Sequence, residues 1–403
     1  MTVLVVCGVR AVGAGGAQEP AEMSRAQVYR RVEALTALGR EMFFDPSLSA
    51  SGKTSCATCH SPVDAFGPPN ALPVQPGGKD MRQLGMRAVP SLRYLQATPQ
   101  FTEHFFDTDD AANDSVDNGP TGGLTWDGRV DRGRNQARIP LLSPFEMANR
   151  SPAAFVARLR LARYADELRR IFGDAVFADT DKAFAVALEA FEVFQQNPAE
   201  FYPYSSKYDA YLAHKAELSD QESRGLSLFA DPAKGNCARC HMSTLGKDGT
   251  PPQFTDYGLV ALGVPRNTAI PANSDPNLFD LGLCGPLRTD LRSRPEYCGR
   301  FKTPTLRNAA TRRVFFHNGI FHTLREVVEF YVQRDTSPEK WYPRAADGNV
   351  RKFDDLPASY DANVDADPPF GGHPGDRPAL SDDEIDDLIA FLQTLTDGFL
   401  LEQ

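Results

Sequence analysis

The sequence lacks long apolar runs, an excess of basic residues and clear strand patterns. No apolar stretch approaches the roughly 20 residues that a membrane-spanning helix needs. Lys and Arg together number 43 against 53 Asp and Glu, and the net charge of −10 argues against a nucleic-acid-binding protein, which would carry basic clusters. Alternation of apolar and polar residues is scarce. These absences predict a soluble, mainly α-helical protein with no membrane span and no nucleic-acid partner.

Helical periodicity and capping residues dominate what is present. Three predicted helices begin with Ser or Thr followed three residues later by Glu, which is the capping-box pattern. Long Pro- and Gly-rich stretches at 61–90, 107–135, 243–300 and 343–378 predict ordered loops that something large must organise. The predicted helices cover residues 24–44, 151–172, 181–196, 219–231, 323–331 and 381–395.

The cysteines carry the most specific signal. Apart from Cys7, six are present, and four of them fall in two copies of Cys-x-x-Cys-His. This is the attachment pattern for c-type haem, because two thiols one helical turn apart reach the porphyrin vinyl groups and the adjacent His binds the iron. A redox dithiol needs no following His, and zinc would need a second paired set beside each motif. The pattern predicts two covalently bound haem c groups, held by Cys56, Cys59 and His60 and by Cys237, Cys240 and His241.

The remaining two cysteines and the N-terminus indicate an oxidising compartment. Cys284 and Cys298 are predicted to form a disulfide, which would contribute about 3 kcal/mol in the chain-entropy account; the alternative is two unpaired buried thiols. The first residues form a short apolar run followed by small residues, with Gly15 and Ala17 suiting a cleavage site before Gln18. Residues 1–17 are therefore predicted to be a signal peptide, and the protein to be periplasmic, although a flexible N-terminus is the alternative.

Further motifs resemble the bacterial dihaem cytochrome c peroxidase and MauG superfamily. The segment TWDGR at 125–129 resembles the stretch that carries the family's inter-haem Trp. LLSPFEMA at 141–148 is similar to the family's distal-pocket segment. FKTPTLRNAA at 301–310, followed by His-Asn-Gly, resembles the segment leading to the second haem's distal ligand. The residues that carry this resemblance are Trp126, Gln136, Pro140, Glu146 and His317.

The resemblance implies a fold and a division of roles. It implies two mainly α-helical cytochrome c-like domains, at 18–204 and 205–403, with one haem in each and long ordered loops. Peroxide would react at the N-terminal haem, where Glu146 would move protons with Gln136 hydrogen-bonding beside it and Pro140 lining the pocket. Trp126 would lie between the haems and conduct electrons. His317 would lie in the pocket of the second haem.

The residue type at the position of Tyr331 distinguishes the two branches of this superfamily. Its helical spacing with Leu324, Val327 and Val328 alone would make it a core residue. However, it stands 14 positions beyond His317, where the peroxidases have a Met ligand and MauG-like proteins have a Tyr ligand. The resemblance therefore implies that Tyr331 binds the second iron opposite His241. An anionic oxygen ligand suits higher iron oxidation states, whereas a thioether favours Fe(II).

These features lead to one functional hypothesis and two alternatives. Residues 61–103 contain no His that could cap the first iron, although Met81 and Met86 are alternative caps. The leading hypothesis is a MauG-like enzyme that uses hydrogen peroxide to form a high-valent dihaem state, which oxidises a Trp or Tyr of a partner protein. The alternatives are a peroxidase that reduces peroxide to water with electrons from a small cytochrome or cupredoxin, and an electron carrier or peroxide sensor without turnover.

A calcium ion between the haems is a further expectation from the family. The family often holds it through an Asn side chain and backbone carbonyls. Here Ala88 occupies the Asn position, and the carbonyl donors would come from near Arg312 and Val314. A water could replace one lost oxygen ligand, so the calcium prediction stays open at this point.

Overall fold

A computed structural model describes residues 23–106 and 117–401, so the predicted signal peptide lies outside the described residues. The fold is mainly α-helical, and within the described residues the strands form two short antiparallel pairs, β1 with β2 and β3 with β4. The helices are α1 Arg25–Phe43, α2 Cys56–Cys59, α3 Gly133–Leu142, α4 Pro152–Leu159, α5 Ala165–Phe172, α6 Thr180–Phe194, α7 Pro198–Phe201, α8 Lys207–Leu212, α9 Asp220–Ala230, α10 Leu324–Gln333 and α11 Asp382–Gln393. The strands are β1 Pro76–Gly77, β2 Gln83–Leu84, β3 Leu259–Val260 and β4 Phe301–Lys302.

In the N-terminal half, helix α1, which precedes the first Cys-x-x-Cys-His motif in the chain, packs against α6. Ser24 and Gln27 cap α1 reciprocally, which satisfies backbone donors that the first helical turn leaves unpaired. The two helices approach so closely that a Cβ on Gly39 would lie 2.1 Å from the carbonyl oxygen of Ala190. Glycine is therefore required at this crossing. The predicted helix at 24–44 is confirmed.

In the C-terminal half, helix α9, which precedes the second motif in the chain, packs against α11 in the same manner. Ser219 with Glu222 and Ser381 with Glu384 form the predicted capping boxes. A Cβ on Gly225 would lie 2.0 Å from the carbonyl oxygen of Asp387. In each half, a helix that precedes the haem-attachment motif thus crosses a helix that follows the motif, with a glycine at the crossing.

Two helix predictions need correction. The segment 151–172 forms two helices, α4 and α5, rather than one. The chain turns between them because Tyr164 is buried and its hydroxyl donates to Asp45 Oδ2 at 2.8 Å, so a tertiary contact overrides the helical period. Helix α3 was not predicted, because Gly133 and Pro140 weaken its helical pattern.

The buried hydrophobic side chains form separate clusters along the chain. One lies within residues 35–201 and centres on α1 and α6. A second lies within 208–395 and centres on α9, α10 and α11, and a third, within 264–342, joins α10 to the preceding loops. This separation supports the predicted domains 18–204 and 205–403, which remain a prediction.

The chain after α11 returns to the boundary between the two predicted domains. The carboxylate of Asp397 accepts hydrogen bonds from Tyr94 OH at 2.7 Å, Arg93 Nη1 at 2.8 Å and Asn308 Nδ2 at 2.7 Å. The backbone N–H of Ser205, at the predicted boundary, donates to the same carboxylate. One carboxylate near the end of the chain therefore connects segments from both halves.

The long loops are ordered where the structure describes them. Cys284 and Cys298 form a disulfide with their Cα atoms 5.0 Å apart, and it closes one loop of the C-terminal half. Among the helices of residues 23–106 and 117–401, none is both long and apolar enough to cross a membrane.

Candidate active site

Each half of the protein contains a large cavity beside its Cys-x-x-Cys-His motif. The first cavity, together with its opening to solvent, has a volume of about 1710 Å³ and is bordered by Cys56, Cys59 and His60. The second, counted in the same way, has a volume of about 1500 Å³ and is bordered by Cys237, Cys240 and His241. Trp126 borders both cavities.

On the motif side of the first cavity, hydrogen bonds fix the orientation of His60. Its Nδ1 lies 3.0 Å from the carbonyl oxygen of Phe66. A carbonyl can only accept, so Nδ1 carries the proton and Nε2 keeps its lone pair, as a metal-binding imidazole requires. Burial lowers the pKa of His60 to about 4, although the Phe66 and Pro90 carbonyls partly oppose this effect. The imidazole is therefore neutral at physiological pH.

His241 has the same arrangement in the second cavity. Its Nδ1 lies 2.8 Å from the carbonyl oxygen of Phe254, and burial lowers the pKa of the imidazole, opposed by the Phe254 carbonyl and by the nearby Asp256. Phe66 and Phe254 both have a left-handed backbone, with φ of 55° and 53°. Both carbonyl acceptors thus come from the same strained conformation.

A short sequence repeat supports both carbonyl acceptors, and the sequence analysis missed it. The N–H groups of Leu92 and Leu306 donate to the Phe66 and Phe254 carbonyls at 3.2 and 3.3 Å. The hydroxyls of the preceding residues donate to the carbonyls one residue earlier: Ser91 Oγ to Ala65 at 2.6 Å and Thr305 Oγ1 to Gln253 at 2.7 Å. The signal was present as two copies of Pro-Ser/Thr-Leu-Arg, at 90–93 and 304–307.

The four motif thiols are not set up as reactive thiolates. Burial raises the pKa of each to about 12, whereas redox dithiols and zinc ligands need a low thiol pKa. No group of three or more His, Cys, Asp or Glu that could hold a metal ion occurs within residues 23–106 and 117–401. Two thiols and one imidazole Nε2 beside each large cavity instead fit a covalently attached c-type haem.

Gln136, Pro140 and Glu146 also border the first cavity. Pro140 lies inside α3 and has no N–H, so the carbonyl of Gln136 loses its usual helical partner. The backbone of Glu146 is fixed from both sides: its N–H donates to the Ser143 carbonyl at 3.1 Å, and its carbonyl accepts from the N–H of Gly78 at 2.8 Å. These contacts hold Glu146 at the edge of the cavity.

The surroundings of Glu146 suit a proton-transfer group. Its accessible surface borders the cavity, and the protein around the carboxyl raises its pKa by desolvation, an effect that a hydrogen bond with Ser143 and the charge of Arg129 oppose. Within the described part of the chain, no hydrogen bond joins the side chains of Gln136 and Glu146. The structure brings both side chains to the first cavity and leaves their predicted pairing as a prediction.

Trp126 is hydrogen-bonded to the segment that separates the cavities. Its Nε1–H donates to the carbonyl of Ala88 at 2.8 Å, and the N–H of Ala88 donates to the carbonyl of His317 at 2.7 Å. The carbonyl of Trp126 accepts from the N–H of Lys302 at 2.8 Å. The indole is thus fixed between the two cavities, as an electron path between haems would require.

His317 and Tyr331 both border the second cavity. His317 stacks on Phe301 with ring centroids 3.5 Å apart. Its Nε2 is buried and has no hydrogen-bond partner among the described residues, although Asp355 Oδ2 lies 3.8 Å away. Tyr331 lies on α10 between the rings of Phe316 and Phe370, at centroid distances of 6.1 and 5.3 Å. Burial raises the pKa of its phenol. The structure therefore places Tyr331 at the border of the second cavity, and its role as a ligand of the second iron stays a prediction.

A buried network of charges lies between the cavities. Asp127 accepts from Arg87 and Arg129 at 2.8 Å each, and Arg87 also pairs with Asp280 at 2.6 Å. Arg87 and Arg129 border the first cavity and Asp280 borders the second. Asp127, next to Trp126 in the chain, therefore helps to fix the wall that both cavities share.

Comparisons with known proteins agree with this arrangement. The family model for di-haem cytochrome c peroxidase matches residues 33–217. The methylamine utilization protein MauG of Paracoccus denitrificans is 33% identical over 94% of this chain and 92% of its own length. The cytochrome c551 peroxidase of Nitrosomonas europaea is 27% identical over 79% of this chain and 78% of its own length.

A solved structure extends the similarity to the fold. The diheme peroxidase BthA from Burkholderia thailandensis superposes with a TM-score of 0.78 and 40% identity, over 90% of this chain and 86% of its own. When bound, the two haems supply redox chemistry that no side chain provides. The protein is a haem-dependent oxidoreductase that acts with peroxide, a member of the di-haem cytochrome c peroxidase and MauG family with two covalently bound c-type haems.

Proposed function

We propose that this enzyme uses hydrogen peroxide to oxidise an aromatic side chain, Trp or Tyr, of a partner protein. The observation that carries the proposal is Tyr331, which borders the second cavity with His241 at the position where the peroxidases of the family have Met. An oxygen ligand makes that iron a poor acceptor of electrons from a carrier protein and a better store of oxidising equivalents.

The first cavity supplies the residues that handle peroxide. Glu146 accepts a proton from one oxygen of peroxide and delivers it to the other oxygen, which leaves as water. Its raised pKa brings the carboxyl closer to the operating pH, where proton transfer in both directions is efficient. Pro140 and Gln136 confine the substrate beside it.

Trp126 provides the connection between peroxide reduction and partner oxidation. Peroxide accepts two electrons and two protons to give two waters, so two electrons must leave the partner. Those electrons pass from the second cavity to the first through the indole of Trp126, which borders both. Its hydrogen bond to Ala88 holds it in that position.

We further propose that the protein works in the periplasm. The disulfide between Cys284 and Cys298 is typical of oxidising compartments, and covalent haem attachment through Cys-x-x-Cys-His requires both thiols of each motif to be free of disulfides, as they are in this structure. The partner is an exported protein with an accessible Trp or Tyr.

The second candidate is a peroxidase that takes electrons from a small cytochrome or cupredoxin, which the similarity to cytochrome c551 peroxidase and to BthA favours. Stopped-flow spectroscopy of the fully ferric holoenzyme with one equivalent of peroxide separates the two. We expect an immediate spectral change without an electron donor. A reaction that starts only after one electron has been supplied would establish the peroxidase instead.

The variant Tyr331→Met tests the role of the second cavity directly. We expect Y331M to need prior reduction before it reacts with peroxide and to lose oxidation of aromatic side chains, because a thioether favours Fe(II). Tyr29→Met, on the exposed face of α1, is the matched control and should behave as the wild type. An unchanged ferric reaction in Y331M would remove the main support for the proposal.

A further inference from the structure

The side chain of Arg312 lies between three segments that meet near the first haem motif. Its Nε donates to the carbonyl of Val314 at 3.2 Å, and its Nη2 donates to the carbonyl of Val89 at 3.1 Å. Its Nη1 faces Gly67, where an added Cβ would lie 3.3 Å from that nitrogen. One guanidinium thus joins the loop after His60, the segment before Pro90 and the segment before His317.

These contacts occupy the place where the family's calcium ion is expected. The Val314 carbonyl, one of the predicted calcium donors, already accepts from the guanidinium. The backbone N–H and carbonyl of Ala88 are both engaged, with His317 and Trp126, and its side chain has no oxygen. A second positive charge beside the guanidinium would be repelled. The residues present do not fit calcium.

We propose that Arg312 is a built-in cation that replaces calcium between the two haem cavities and makes this protein independent of calcium. A guanidinium can satisfy the same backbone carbonyls as a metal ion, and it does so with fixed, directional donors. The proposal holds for either activity considered above, because it concerns the junction of the cavities and not the substrate.

The position of Arg312 also makes it a positioning residue for His60. The carbonyl that orients His60 belongs to Phe66, the residue directly before Gly67. A second carbonyl that acts on His60 belongs to Pro90, the residue directly after Val89. Fixing both segments therefore fixes the imidazole. Burial lowers the pKa of Arg312 to about 10, so it remains charged at neutral pH, and its charge contributes to the low pKa of His60.

The neighbouring Arg313 offers a matched control. It is exposed, with 59% of its side-chain surface accessible, and its ion pair with Asp64 spans 3.8 Å. Exposed pairs of this kind contribute little. Comparing Arg312→Ala with Arg313→Ala therefore separates the effect of the inserted cation from the loss of an arginine in this segment.

The experiment uses the dihaem holoprotein throughout. The wild type is purified with about 1 mM calcium and then desalted, and metal analysis is expected to show no stoichiometric calcium. Treatment with EGTA is expected to leave its unfolding temperature and both haem midpoint potentials unchanged. R312A is expected to lower the midpoint potential of the His60 haem more than that of the His241 haem, and to slow the ferric reaction with peroxide about tenfold. Arg312→Lys should retain most of the potential, and R313A should match the wild type.

Two results would overturn the proposal. One is a wild-type protein that holds one calcium per chain and loses its haem potentials on chelation. The other is an R312A protein that matches R313A in potential, unfolding temperature and peroxide reaction. If R312A does not fold, metal analysis and chelation of the wild type still decide the question.

Discussion

The two cavities are built alike on the side of the attachment motif and differently everywhere else. Both orient a neutral His through the carbonyl of a Phe, which also accepts from the N–H of a Leu. In both, a Ser or Thr of the same repeated segment donates to the carbonyl one residue earlier. The first cavity then presents Glu146, and the second presents Tyr331. The two halves thus share the surroundings of the attachment motif, and the proposed division of roles rests on the other residues that border each cavity.

The fixed charges differ in the same sense. The positive charge of Arg312 acts on His60, whereas the carboxyl group of Asp256 acts on His241. A nearby cation disfavours positive charge and a nearby carboxylate favours it. Burial lowers the pKa of both imidazoles, and these two charges add smaller contributions of opposite sign. The four predictions below test how far the two cavities differ.

The largest expected effect is confined to the first cavity. Glu146→Gln keeps the size of the side chain and removes its ability to accept a proton, so the rate of reaction with peroxide should fall by about 10²–10⁴-fold. Stopped-flow spectroscopy of the ferric holoenzyme measures it. The exposed Glu33 on α1 provides the control, Glu33→Gln. A rate within twofold of the wild type would show that the two cavities do not differ in proton transfer.

Trp126→Phe should separate the cavities without emptying either. Phe retains the packing and loses the indole and its hydrogen bond to Ala88. We expect the initial peroxide reaction at the first cavity to persist, while oxidation of an aromatic donor slows about tenfold or more, since each 1.4 kcal/mol of added barrier is a factor of ten. Equal slowing of both steps would indicate a structural role only.

The stability of the wall that both cavities share should depend on pH through the carboxylate of Asp127. Its pairing with Arg87 and Arg129 holds the pKa of the carboxyl below its usual value despite burial. Because the folded-state pKa is the lower one, this stabilisation is present above the unfolded value of about 3.9 and is lost as pH falls through the folded-state pKa. Asp127→Asn should lower the free energy of unfolding by about 3–5 kcal/mol at neutral pH.

Chemical denaturation of the wild type and D127N measures the free energy of unfolding of each protein. The measurements run from about pH 3 to about pH 7, a range that includes the ordinary carboxyl pKa of about 3.9. The difference between the two proteins should shrink at the acid end. The exposed Asp166, paired with Arg169 on α5, supplies the control Asp166→Asn. A constant difference at all pH values would mean that the network does not titrate as expected.

The smallest effects should be equal in the two halves. Gly39→Ala and Gly225→Ala each place a methyl group against a helix backbone, at 2.1 and 2.0 Å from a carbonyl oxygen. Overpacking of this kind should cost about 1–3 kcal/mol at each site, measured by thermal unfolding of the holoprotein. Ser223→Ala, on the exposed face of α9, should be neutral. Unequal losses would show that the two helix crossings are not equivalent.

The sequence predicted the attachment motifs, the capped helices and the residues that line each cavity. Local signals sufficed there, because capping boxes and Cys-x-x-Cys-His act within a few residues. Helix α3 and the break before Tyr164 depend on contacts from distant segments, such as the hydrogen bond to Asp45, and periodicity could not predict them. The proximity of Arg312 to Val89 likewise requires the folded chain, since 223 positions separate the two residues.

The carboxylate of Asp397 has a consequence for biogenesis. It accepts hydrogen bonds from Arg93 and Tyr94 in the first half and from Asn308 in the second, and no ribosome can supply it until both attachment motifs have been made. The hydrogen bonds through Asp397 can therefore form only after both Cys-x-x-Cys-His motifs have been synthesised, so this contact plays no part while either motif is being made.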